Sequence, residues 1–286
     1  MRVILFFHLL ESRPLATNAT LHPDNADRAS HLAPRMGRSS ANRSLERGMD
    51  VLRAFRPGLE TLGNGEIAER TGLSPSTVSR LTQTLVDSGW LQHDARLRAY
   101  RLAGPVLSLA HAMRTGSRWL QVAAPLMHEM AVQHRINVGL AVADRDEMVY
   151  LESIRYNRRV SQRSVVAGQR VPMDLTSLGR AWLATAPPDQ RLALMAMFAA
   201  RRSAAAWTPI ASEIDAAVHD VQTHRFCAAA WQPEVVALAV PLHVPGQPVH
   251  VLNMSVTSPA SISTVSAQLS GPLLILAGKI VEGMGT

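Results

Sequence analysis

The chain has 286 residues, 47% of them apolar, 18% charged and only 5% aromatic. That length accommodates two domains of ordinary size, and the composition excludes wholesale disorder. The longest unbroken apolar run, Leu192 to Ala200, has nine residues, short of the roughly 18 to 20 that span a bilayer as a helix, so the run pattern argues against an integral membrane protein. Cys227 stands alone and can form neither an internal disulfide nor a thiolate zinc cage, which points to a reducing, cytoplasmic compartment. Lys plus Arg number 29 against 22 Asp plus Glu, net +7, and Lys279 is the single lysine. Arginine forks onto phosphate or guanine, although a GC-rich genome produces the same bias. The excess lies towards the N-terminus: residues 1 to 115 carry 15 Arg against 10 acids, the remainder 14 cations against 12 acids.

Residues 1 to 42 open on the apolar run Val3 to Leu10 and continue in Asn, Ser, Pro, His and Arg without periodicity. Arg2 and the small residues Ala16 to Ala19 admit a signal-peptide reading, but the run is short and broken by His8. A disordered arm, or a true start at Met36, is the expectation. From Ser44, placed to cap, Leu45, Met49, Leu52 and Phe55 fall at helical spacing. Pro57 and Gly58 end that helix; a short second one over Gly65 to Arg70 turns Ile67 and Ala68 inward and stops at Gly72. Ser74 then caps a third helix whose first position is Pro75, where a missing N–H costs nothing. Val78, Leu81 and Leu85 form its packed side, so Ser76, Thr77, Ser79, Arg80 and Gln83 project outward. Short hydroxyls beside a forked arginine suit phosphate anchoring and base reading in a major groove. A plain helical hairpin with a solvated face has the same local pattern. Two short strands, Trp90 to Gln92 and Ala99 to Leu102, flank the basic stretch Asp94 to Arg98 and complete a winged helix-turn-helix.

Pro105 to Arg114 reads as a linker helix, and Leu120 to Ala131 as a longer one. Asn137 to Val142 and Met148 to Leu151 are strands about the turn Asp144-Arg145-Asp146. Helices are expected over Ser177 to Thr185, Pro188 to Ala199 and Ile210 to Arg225, a second hairpin over Val235 to Leu242 and Val249 to Val256, and a closing helix over Ile262 to Glu282. Strands at both ends with helices between them make an α+β domain with one sheet flanked by helices. Cys227, His224, His243, His250 and scattered serines are the enzymatic candidates, but neither a Gly-x-Ser-x-Gly elbow nor a His-Glu-x-x-His motif occurs. Cys227 at the start of a strand reads as a buried thiol, and His243 and His250 straddle a turn without a third ligand. No catalytic residue, cofactor or metal is therefore expected.

Ser44 to Leu52, Glu66 to Leu81 and Tyr100-Arg101-Leu102 together resemble the N-terminal module of IclR-type bacterial transcriptional regulators. Downstream, Val171 to Ala181 is similar to that family's segment leading into its effector-pocket helix, and Gln232 to Pro241 to a strand near the chain's end. The resemblance covers residues 43 to 283 and implies a GAF-like effector-binding domain. Carried over residue by residue, Met173, Ser177, Leu178, Ala237, Asn253 and Ser255 would line the pocket. Asn253 and Ser255, two apart, share one face of a strand, and their amide and hydroxyl, with a helix N-terminus, suit a carboxylate. The chain also departs from the family pattern. Ala228-Ala229-Ala230 stands where relatives often carry acids, Ala237 where they carry cysteine, and Glu234 where they carry glycine.

The expected organisation is therefore an arm over 1–42, a winged helix over 43–104, a linker helix over 105–116 and an effector domain over 117–286. The expected function is operator binding modulated by a small organic acid or aromatic metabolite, in a homodimer or homotetramer and away from membranes. Arg43, Ser74, Ser76, Thr77, Ser79, Arg80, Gln83, Arg96 and Arg98 would contact DNA. A hydrolase with an accessory helical domain, or a protein-interaction module, are the alternatives.

Overall fold

The computed structural model describes residues 42–156 and 166–285, so the expected N-terminal arm, apart from its last residue Asn42, lies outside the described residues. The first helix, α1 (Arg43–Arg53), is capped by Asn42, whose side chain accepts from the Leu45 N–H at 3.2 Å. Ser44, expected as the cap, falls inside the first turn, because Asn42 holds the extended backbone that a cap requires. Helix α2 (Asn64–Thr71) starts at Gly63, whose N–H donates to Glu66, and ends at Gly72 in the left-handed region, where a Cβ would be strained. Helix α3 (Pro75–Asp87) follows with Ser74 as cap. Val51, Ile67, Val78 and Leu91 close a small core of their own between these helices and the two-stranded wing, β1 (Leu91–Asp94) and β2 (Ala99–Leu102). Strand β1 leaves out Trp90, which was expected in it, and extends to Asp94 opposite Ala99.

Helix α4 (Gly104–Gly116) buries none of its residues. Helix α5 (Arg118–His134) leads into a six-stranded antiparallel sheet in the order β5-β4-β3-β8-β7-β6. Its strands are β3 (Asn137–Asp144), β4 (Glu147–Arg155), β5 (Arg170–Pro172), β6 (Cys227–Gln232), β7 (Val235–Leu242) and β8 (His250–Thr257). Between β5 and β6 come α6 (Ser177–Leu183), α7 (Pro188–Ala200) and α8 (Ala204–His224), which cover one face; α5 and the last helix, α9 (Ile262–Gly285), cover the other. The expected single sheet flanked by helices is thus the observed α+β arrangement. Strand β5 was not foreseen, since three residues carry no periodicity. Helix α8 begins six residues earlier than expected: Ser203 caps it, and Pro209 is accommodated within its first two turns instead of marking its start.

The estimate from apolar runs fails for α9, which is long and apolar enough by length and composition to cross a bilayer. Serines, glycines and Lys279 interrupt every run while leaving the mean hydropathy high. In this fold Val265, Leu269, Leu273, Leu276 and Ile280 bury that apolar stripe against the sheet and α5.

His250 stacks on Trp119 with ring centroids 4.0 Å apart. Desolvation lowers its pKa below the usual histidine value, against a smaller opposing effect of the Pro248 carbonyl. A folded-state pKa below the unfolded value of 6.5 means that the neutral ring's contribution is fully present above that pH and is lost as the pH falls through the folded pKa. Urea midpoints of wild type and His250→Gln, compared between neutral and mildly acidic pH, should show a steeper acid-side decline in wild type; parallel curves would refute the linkage.

Candidate nucleic-acid interface and ligand face

The polar side of α3 follows from the burial of its other side. With Val78 and Leu81 packed inward, Ser76, Ser79, Arg80 and Gln83 are exposed and Thr77 is half-buried. Arg80 makes no side-chain hydrogen bond or ion pair to a described residue, whereas Gln83 donates to Asp87 at 2.7 Å. Ser74 is engaged locally: its hydroxyl accepts from the Thr77 N–H at 3.4 Å and lies 2.9 Å from the Thr77 hydroxyl. Arg43 is exposed at the start of α1, and Arg96 and Arg98 are exposed at the wing tip. The tip is shaped by Asp94, which accepts the N–H groups of Arg96 and Leu97 and pairs with Arg101 at 2.6 Å. The Leu97 N–H above all, with Arg96 and Arg101, holds the Asp94 carboxyl below its usual pKa, so the wing keeps this turn at neutral pH.

The six expected ligand residues converge on the sheet face that α6 and α8 cover. Val251 lies in the core under those helices while Leu252 and Met254 lie on the opposite side, so Asn253 and Ser255 share the α6 side. Cross-strand pairing places Ser255 between Asn137 and Ala237, and Asn253 between Gly139 and Ala239. Ser177 begins α6 against the same face, its carbonyl accepting from Cys227 Sγ at 3.4 Å. Met173 and Leu178 are fully buried in the adjoining core. The cap of α6 is Thr176, whose hydroxyl accepts from the Gly179 N–H.

Sequence reasoning missed three contributors to this face. Tyr150 reaches Asn253, whose Nδ2 donates to the phenol oxygen at 3.3 Å, while Asn253 Oδ1 is buried without a partner. Burial pushes the Tyr150 pKa up to about 12, a rise that the Asn253 hydrogen bond only partly offsets, so the phenol remains neutral at physiological pH. Gly139 lets the two meet: a Cβ there would lie 2.4 Å from the Tyr150 ring and 2.5 Å from Asn253 Oδ1. Arg155 pairs with Asn137 in the row that holds Ser255 and Ala237, and its Nε is buried without a partner. Only the β3–β4 register, which shifts between Leu140 and Ala141, puts Arg155 on this side. Glu234, noted as a replacement of glycine, takes a positive φ of 60° in the turn before β7.

Among the described residues no hydrogen bond joins Cys227, His224, His243 and His250 to one another, and His224 faces Asp220 at 3.8 Å. Burial pushes the Cys227 pKa up to about 12, which leaves an inert thiol. His243 is exposed, His250 is stacked under α5, and no three potential metal ligands gather among the described residues.

A winged reading head joined to a helix-flanked sheet with a small polar face is the build of a helix-turn-helix transcriptional regulator. Residues 44–95 match the profile of the IclR helix-turn-helix domain and residues 115–271 that of the bacterial transcriptional regulator IclR C-terminal domain. The chain belongs to the IclR family. It is 36% identical over 150 residues to the HTH-type transcriptional regulator TsaQ1/TsaQ2 of Comamonas testosteroni, a match spanning 52% of this chain and 53% of that protein. An IclR family regulator from Brucella abortus has a similar structure, with a TM-score of 0.72 and 34% identity over 86% of this chain and 96% of that one. An IclR homologue from Microbacterium hydrocarbonoxydans, crystallised with 4-hydroxybenzoate, shares the fold at a TM-score of 0.61 and 22% identity, covering 84% and 98% of the two chains.

Gly179 tests how tightly the α6 end of the ligand face is built, since a Cβ there would stand 2.0 Å from the Met173 carbonyl oxygen, a backbone atom. Gly179→Ala should destabilise the fold by about 1 to 3 kcal/mol, measured by denaturant unfolding; an unchanged midpoint would contradict the close approach.

Proposed function

We propose that this protein binds a specific operator through α3 and its wing and that a small carboxylate, an organic or aromatic acid, modulates that binding from the C-terminal domain. The division into a winged helix over 43–104, a linker helix over 105–116 and an effector domain over 117–286 is part of this reading. The observation that carries the DNA half is the unengaged Arg80 on the exposed side of a capped third helix. Arg80 contacts a base edge, Ser76, Thr77, Ser79 and Gln83 contact phosphate or bases, and Arg43, Arg96 and Arg98 follow the backbone or minor groove. Ser74 contributes by capping the helix that presents them.

The effector half rests on the row Arg155, Asn137, Ser255 and Ala237 and the neighbouring Tyr150–Asn253 pair. Arg155 offers a guanidinium to a carboxylate, Ser255 and Tyr150 offer hydroxyls, and the free Asn253 Oδ1 accepts from a donor on the ligand. Alanines at 229, 237 and 239 present only methyl groups beside that row, which suits an apolar or aromatic body on the ligand. The 4-hydroxybenzoate held by the Microbacterium homologue belongs to the same chemical class. The protein acts in the cytoplasm without catalysing a reaction.

Assembly into a homodimer or homotetramer supplies paired reading heads. Leu107, Leu109 and Met113 on α4, and Leu45 and Met49 on α1, are exposed apolar side chains, and one recognition helix reads too few base pairs for a specific site. A second copy covering this apolar surface gives the heads a fixed spacing.

Fluorescence anisotropy with the DNA upstream of the gene, against scrambled DNA at two salt concentrations, tests the reading; preferential, salt-weakened binding is expected. Arg80→Ala should lose about 1 to 3 kcal/mol of specific binding with an unchanged unfolding midpoint. Equal affinity of variant and wild type for operator would sink the Arg80 assignment. In the same assay, Arg155→Met and Ser255→Ala should bind DNA normally but shift the 4-hydroxybenzoate or other acid response to higher concentration; an unaltered response to an acid that acts on wild type would refute this ligand face.

A further inference from the structure

Between α1 and α2 on one side and the β3–β4 turn, β5 and the end of α7 on the other lies a cleft of about 410 Å³ lined by Arg53, Arg56, Arg70, Arg145, Arg170 and Arg201. Four carboxylates meet these six guanidinium groups. Arg53 pairs with Asp144 at 3.2 Å, Arg56 with Glu147 at 2.7 Å, Arg201 with Asp146 at 2.6 Å and Arg145 with Asp50. Arg170 shares Asp144 and Glu147 with Arg53 and Arg56. Six positive charges against four negative leave an excess of two. Arg70 accounts for part of it, having no hydrogen bond or ion pair to a described residue, and Arg56 Nε is buried with no acceptor. A guanidinium group carries five donors, so the carboxylates do not fill all of those that these six lining residues carry around a space of about 410 Å³.

We propose that this cleft is a second ligand site, for a small dianionic oxyanion of the phosphate or phosphate-ester class. Two uncompensated charges match a dianion, and tetrahedral oxygens suit forked guanidinium donors approaching from several sides. The volume exceeds what one phosphate fills, so a short organic group on the ester is accommodated. The site stands on both halves of the molecule: Arg53, Arg56 and Arg70 belong to the reading head, Arg145, Arg170 and Arg201 to the sheet domain. A ligand bridging them favours this placement of the head over any other. The inference is independent of the effector face, which lies at the other end of β4.

Calorimetric titration of the full-length protein with inorganic phosphate and with glycerol 3-phosphate, at fixed ionic strength with chloride as the control, tests the site without DNA. Saturable binding at one anion per chain is expected, weakened about tenfold or more in Arg70→Ala and less in Arg70→Lys; Arg70 is exposed, so both variants should fold. Tighter binding of the ester than of phosphate would mark a metabolite as the occupant, and the reverse would mark the free ion; either supports the site. Absence of saturable heat in wild type, or identical binding by Arg70→Ala, overturns it. Operator affinity of Arg70→Ala in phosphate-free buffer is expected to equal wild type; a loss there, with no anion binding by wild type, would assign the arginines to the DNA backbone instead. Arg155→Met should bind phosphate normally, which separates failure of this site from failure of the effector reading.

Discussion

The C-terminal domain depends on one seam. Strands β3 and β8 lie more than a hundred residues apart in the chain, yet their antiparallel pairing from Asn137–Ser255 to Val142–His250 joins the two halves of the sheet. Both faces of the seam are covered, so its register is strongly fixed, because a slip by one residue would exchange the faces. On one side Val138, Leu140, Leu252 and Met254 meet α5 and α9. On the other, Ala141 and Val251 pack under α6 and α8, and the residues beyond them are small or polar: Gly139, Asn253, Asn137 and Ser255. That asymmetry is what leaves a polar face there, since aliphatic side chains at those positions would fill it as the opposite face is filled. Within the seam Gly139 is a tight point, because Tyr150 and Asn253 close over a position where any side chain would collide.

What the sequence disclosed follows the range of the forces involved. The reading head was legible almost residue by residue, because its signals are local: Ser74 before Pro75, Gly72 after α2, and an apolar repeat at Val78, Leu81 and Leu85. Strands β3, β7 and β8 were legible from apolar runs bounded by turns, and residues two apart placed Asn253 and Ser255 together. Tyr150 and Arg155 were not, for their face depends on which strand pairs with which and on a register shift within β3–β4 that no local pattern encodes. Asn42 was passed over because it stands at the edge of an unpatterned stretch, with Ser44 a nearer match to the cap preference. The arginine cleft was hidden for the same reason as Arg155: its charges come from α1, α2, β3–β4, β5 and α7, and charge counting along the chain registered only a basic N-terminal half. Even α9 was misjudged by run length, because its buried stripe repeats every three or four residues while polar residues fill the gaps.

The reading head is held to the sheet domain mainly by charge. Arg53, Arg56 and Asp50 meet Asp144, Glu147 and Arg145 across the boundary, while α4, which links the two, buries nothing of itself and is tied at its end by Arg114 to the Leu151 carbonyl and to Glu152. Partly exposed ion pairs contribute little each, of the order of 0 to 1 kcal/mol, and weaken with salt. A head held this way is biased towards one placement without being locked in it, and a ligand contributing a few kcal/mol of differential binding is enough to shift it. Strand β4 runs the length of that problem. Glu147, at its first residue, pairs with Arg56 of the head; Glu152 pairs with the linker helix; Tyr150 and Arg155 lie on the face proposed for the effector. On the function proposed above, a carboxylate drawing on Arg155 acts on the same strand that anchors the linker and the head, and the small energies that hold the head are of the size such a ligand opposes.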